Sequence, residues 1–127
     1  MIQTLLQVAL GGAIGASARY LAGVAILRGI GEQAFPLGVI TVNIVGSFLM
    51  GVLIVLMGEK GLAHWNAFLA TGILGGFTTF SSFSLEAWRL METGRHDLAA
   101  LYIGLSVAVS LLGLVAGIHL MRMVIAA

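Results

Sequence analysis

The chain has no cysteine, so neither a disulfide nor a thiolate metal site is available to it. It has one proline, Pro36, at a position that reads as a connection. Charge is scarce too: six Lys and Arg against five Asp and Glu leave a net charge of +1, which suggests no nucleic acid or other polyanion as partner. No two of the three histidines have metal-ligand spacing, and no nucleophile lies beside a base, so an enzyme is not expected. No Lys or Arg precedes the first apolar run. The "ASA" at Ala16–Ala18 therefore lacks the basic flank of a cleavable leader, and the run is expected to be retained.

Hydrophobic residues fill the space left by charge. They make up 60% of the 127 residues, with mean hydropathy +1.10. A small soluble domain cannot hide that much apolar surface from water. About 20 apolar residues span a bilayer, and four such runs are legible: Leu5–Leu27, Leu37–Met57, Ala67–Met91 and Leu98–Val124. The polar segments between them are short and leave no room for an extramembrane domain. Backbone in lipid must be helical or closed into a barrel, and the alternation of a barrel strand is absent. The expected fold is an all-α integral membrane protein, residues 1–127 forming one four-helix domain.

Orientation is nearly balanced. Lys60 and Arg122 lie on the side of the termini, and Arg28, Arg89 and Arg95 on the other. Insertion both ways, with two opposed copies pairing about an axis in the membrane plane, is one reading. A single fixed orientation is the other.

Each span carries a polar or small-residue feature. The first has Gly11 and Gly15, and Gly12 and Ala16, at the four-residue spacing that lets helices approach closely. Arg19 follows on the same face. An arginine inside a span faces protein, water or an anion, unless it snorkels to the interface. The second places Asn43, Ser47 and Gly51 at i, i+4 and i+8, and the fourth does the same with Tyr102, Ser106 and Ser110. That spacing makes a stripe about 12 Å long, suited either to lining a path or to bonding helices together.

The third span is unusual. A continuous helix over it would measure about 37 Å, longer than the hydrocarbon core of about 30 Å. Gly72, Gly75 and Gly76 weaken its middle, so a break is expected at this glycine-rich centre. The stretch "GGFTTFSSFS" then sets Phe80 and Phe83 on one face among hydroxyls. Two such rings more often serve packing, but a ring edge is electropositive and favours an anion.

The motifs "GGFTTFSSFS" and "VNxxGSF", the intramembrane Arg19 and the Tyr102/Ser106/Ser110 stripe together resemble the Fluc (CrcB) fluoride channels. The resemblance covers all four spans. It implies an antiparallel, dual-topology homodimer in the cytoplasmic membrane, surrounded by lipid. Two pores would export fluoride passively and lower its toxicity inside the cell. It implies a fluoride pathway over Asn43, Phe80, Phe83, Tyr102, Ser106 and Ser110, with Arg19 as a basic vestibule residue. It further implies a structural, untransported Na+ held by the backbone carbonyls of Gly75 and Thr78 from both subunits. The chain departs from the family pattern at Val39, where a threonine is usual, and at Ser82, where a hydroxyl is kept. Glu86 follows the signature without an assigned role.

Two other functions fit the size and span count. A small multidrug-type proton-coupled transporter needs a membrane-embedded carboxylate, for which Glu86 is the one candidate within a span. A non-transporting membrane scaffold needs only the small-residue faces.

Overall fold

The computed structural model describes residues 1–127, all of them in helices or short connections. Helix α1 is Ile2–Ile30 and α2 is Leu37–Glu59. A 3-10 turn at Ala63–Trp65 leads into the third span. That span opens as a π-helical segment, Ala67–Leu74, which runs on through one α-helical turn, Gly75–Phe77; the two together are α3. Helix α4 is Phe80–Glu92 and α5 is His96–Ala126. Four helical stretches, counting 63–92 as one, are long and apolar enough to cross a membrane.

The connections are set by local chemistry. Gly61 and Gly94 take left-handed φ values of 66° and 81°, which favour glycine. At Gly94 the Arg95 N–H reaches back to the Leu90 carbonyl at 2.9 Å and the Gly94 N–H to Met91 at 3.0 Å, closing α4 with a paired cap. Pro36 stands just before α2, where its fixed φ suits a helix start.

One hydrophobic cluster forms, at the end where the α1–α2 and α4–α5 connections lie. Its buried members are Ile40, Ala87, Leu90, Ala99 and Tyr102. Elsewhere Val42, Val55, Met57, Ala70 and Leu74 are buried as well, and glycines bring the helices close, because lipid offers no hydrophobic drive between helices and close packing must supply the attraction. The buried residues of α1 are just Gly11 and Gly15. A Cβ on Gly11 would come within 2.9 Å of Gly72 Cα, and one on Gly76 within 2.7 Å of the Gly12 carbonyl oxygen and 3.1 Å of Ala16 N. The small-residue face expected on the first span thus receives the third. Helices α2 and α5 pair likewise: Gly51 meets the backbone at Leu114 and Ile118, and Gly117 that at Phe48 and Val52.

The glycines at the centre of the third span keep helical dihedrals; Gly75 has φ −63° and ψ −35°. Extended backbone follows them, at Thr78 (φ −84°, ψ 159°) and Thr79 (φ −151°, ψ 116°). Gly72 and Gly76 serve close packing against α1, and the departure from helix comes where other side chains are on hand to receive it.

Candidate functional site

Extended residues at membrane depth need partners for their backbone groups. Asn43, on α2, supplies two of them. Its Nδ2 donates to the Thr79 carbonyl at 3.0 Å, and its Oδ1 accepts from the Thr79 N–H at 2.7 Å. One side chain therefore clasps one whole peptide residue. Arg19, on α1, serves the helical turn just before the extended residues: its Nε donates to the Gly76 carbonyl at 3.1 Å. The threonines add local bonds. Thr78 Oγ1 donates to the Leu74 carbonyl, and Thr79 Oγ1 accepts from the Ser82 N–H at 3.2 Å as the N-cap of α4. Ser84 turns back to the Phe80 carbonyl of its own helix.

Two carbonyls near this clasp lose the amide partners of an unbroken helix. The Thr79 N–H, which would serve Gly75, goes to Asn43, and the Ser82 N–H, which would serve Thr78, goes to Thr79 Oγ1. Gly75 is exposed at the surface of the chain. Gly46 permits the clasp to close: a side chain there would run into the Thr78 methyl.

Beside the clasp lies a groove of about 500 Å³. It is lined by Asn43 and Ser47 of α2, by Thr78 and Thr79, by the rings of Phe80 and Phe83, and by Ser106 and Ser110 of α5. Five of the residues read from the sequence as a pathway thus share one cavity. Gly51, one turn beyond Ser47, packs on α5 and does not line the groove. Tyr102 stands behind the groove wall, fully buried and 5.4 Å from Phe83 between ring centroids. The Tyr102 and Ser106 hydroxyls are buried with no hydrogen-bond partner in the chain. The Phe80 and Phe83 rings lie 5.5 Å apart, tilted at 54°, and Phe80 is 79% exposed.

Arg19 is not in this groove. It borders a second one, of about 320 Å³, with Tyr20, Val39, Thr79 and Ser82. Thr79 touches both grooves. Glu86 is ion-paired with Arg89 at 3.2 Å, one turn along α4.

Residues 6–118 match the family described as CrcB-like protein, Camphor Resistance (CrcB). The chain belongs to the CrcB family. Among its relatives, a protein of Ruegeria sp. (strain TM1040) is 57% identical over 122 residues, covering 96% of this chain and 97% of the relative. One from Cereibacter sphaeroides (strain ATCC 17029) is 60% identical over 122 residues with the same coverage. One from Agrobacterium fabrum (strain C58) is 51% identical over 117 residues, covering 91% of this chain and 93% of the relative. All three are named "Fluoride-specific ion channel FluC".

For a CrcB member, reading the sequence alone missed three partners of its own motif. The Thr79 peptide, the Gly76 carbonyl and the space at Gly46 had no local signal. Each depends on a residue 30 or more positions away, as the Asn43–Thr79 separation of 36 and the Arg19–Gly76 separation of 57 illustrate. The one available hint was that Asn43 and Arg19 are polar where lipid-facing residues are expected.

Proposed function

We propose that this protein is a fluoride-specific ion channel, not an enzyme, and a multi-pass protein of the bacterial cytoplasmic membrane. Its task is to let fluoride leave the cell passively and so lower its toxicity. The observation that carries the reading is the groove itself, where the buried, unpartnered Ser106 hydroxyl stands with the Asn43 amide, Ser110 and the rings of Phe80 and Phe83. Fluoride is small and strongly hydrated, so a path must replace lost water with donors. An amide hydrogen, hydroxyls and electropositive ring edges do that without a fixed charge to trap the ion. One Asn43 N–H is taken by Thr79, and an amide nitrogen carries two hydrogens, so a second remains for the ion.

The functional unit in this proposal is an antiparallel, dual-topology homodimer with two pores and an interrupted third span at its centre. Support comes from the exposure of Phe80 and Gly75, both beside the clasp, on an isolated protomer. Ser106 and Ser110 form the polar side of each path with Tyr102 behind them, and Arg19 stands at a vestibule. The carbonyls of Gly75 and Thr78, released from helical partners, suit a hard cation such as Na+, which takes oxygen ligands. Bound there, Na+ would join carbonyls of the two subunits as a structural ion and would not itself be transported.

The test is efflux from liposomes loaded with fluoride or chloride. Release of fluoride with retention of chloride, driven by voltage without a proton gradient, is expected. Equal release of both ions, or no release, overturns the proposal. Flux that requires a proton gradient would favour the coupled transporter instead, for which Glu86, ion-paired with Arg89, is the candidate carboxylate.

A further inference from the structure

Four aromatic rings stand in series from the α1–α2 connection to the groove. Phe35 meets Tyr102 edge-on, with centroids 5.5 Å apart and planes at 84°. Tyr102 then contacts Phe83 at 5.4 Å and 33°, and Phe83 contacts Phe80 at 5.5 Å. Phe80 and Phe83 line the groove; Phe35 and Tyr102 do not. Phe35 is the member of the series that sits outside a helix.

Tyr102 is the hinge of this series. A buried tyrosine is usually aimed by a hydrogen bond from its hydroxyl. Here the hydroxyl has no partner in the chain, so ring contacts do the aiming. Phe35 and Phe83 both contact Tyr102, within the cluster of Ile40, Ala87, Leu90 and Ala99. Phe35 is itself held. Its carbonyl accepts from the Leu37 N–H at 2.8 Å, and the proline that follows it restricts its backbone.

We propose that Phe35 is a positioning residue for the groove: acting through Tyr102, it sets the ring of Phe83. The inference rests on reading the groove as the fluoride path. Edge-to-face pairs are directional, and losing one shifts an equilibrium by roughly two- to tenfold. Leucine at position 35 keeps bulk but removes the ring edge.

Liposome fluoride efflux is therefore measured for the parent chain, Phe35→Leu, Phe83→Leu and the double variant, each checked for folding by size exclusion. Phe35→Leu should lower flux about two- to tenfold. It should add nothing once Phe83 is leucine, because the ring it positions is gone. Phe35→Tyr should keep the parent flux. Parent-level flux in folded Phe35→Leu, or a loss that multiplies independently with Phe83→Leu, overturns the proposal. If Phe35→Leu does not fold, Phe35→Met against Phe35→Tyr makes the same comparison. A second readout does not depend on transport. With para-fluorophenylalanine at position 83, the fluorine resonance should move in Phe35→Leu and stay in place in Phe35→Tyr. An unmoved resonance also overturns the proposal. A moved resonance in a protein that passes no fluoride sinks the channel reading and leaves the positioning role standing.

Discussion

The α2–α5 pair and the extended residues of the third span solve the same problem in opposite ways. Along α2 and α5 the backbone stays helical, and glycines let the two rods touch. At Thr78 and Thr79 the backbone leaves the helix; Asn43 of α2 serves both groups of Thr79, and Arg19 of α1 serves the Gly76 carbonyl just before them. The rods are held together by packing, and what they offer an ion is confined to the side chains they turn to the groove, Asn43 and Ser47 from α2 and Ser106 and Ser110 from α5. The clasp is strained for partners, and that shortage gathers an amide, hydroxyls and rings in one place. Polar function in this molecule sits where helical self-sufficiency ends.

The comparison is broken most severely at Asn43. Asn43→Leu strands both the N–H and the carbonyl of Thr79 in a membrane interior. The expected loss is about 2–6 kcal/mol of stability, and with it the folded protein. Thermal unfolding in detergent measures it; a loss below about 1 kcal/mol would mean the clasp holds without its amide. Next comes the helix pair. Gly117→Ala pushes a methyl into the backbone at Phe48, which cannot yield as a flexible side chain would. A cost of about 1–3 kcal/mol is expected in the same assay, with flux falling only as folded protein is lost.

A smaller effect is expected at the cap. Thr79→Ala removes the oxygen that accepts the Ser82 N–H and should cost about 1 kcal/mol, while Thr79→Ser should retain it. Equal stability in the alanine and serine variants would show that Asn43 alone fixes this turn. The smallest effect sharpens the comparison from the other side. A Cβ on Gly113 meets nothing closer than 3.4 Å, at the Ile44 carbonyl oxygen. Gly113→Ala should therefore stay within about 0.5 kcal/mol of the parent or gain slightly from helix propensity. A loss as large as that of Gly117→Ala would mean that α2 and α5 pack more tightly than their backbones indicate.

Legibility in the sequence follows the range of the physics. The four spans were readable because hydropathy over some 20 residues is a local sum. The face of Gly11 and Gly15, and the shared face of Phe80 and Phe83, were readable because helical period places residues three and four apart together. The Ser106 and Ser110 stripe reached the groove for the same reason. Period could not separate Tyr102 from that stripe, since only the rotation of α5 against α4 puts its ring behind Phe83. Nor did it locate the extended residues. Glycine marks where a helix is weak, but Gly72 and Gly76 are spent on contact with α1, and their backbone stays helical.

By itself the sequence determined what the chain can dissolve in, how many times it can cross, and which residues lie on a common helical face. Those properties follow from composition and from the fixed geometry of the helix. The tertiary structure alone decided where the third span leaves the helix, because extended backbone in lipid persists only where partners reach it. Asn43 reaches Thr79 across 36 residues and Arg19 reaches Gly76 across 57. No local rule encodes such distances; they are set by the tilt and rotation of whole helices packed against one another.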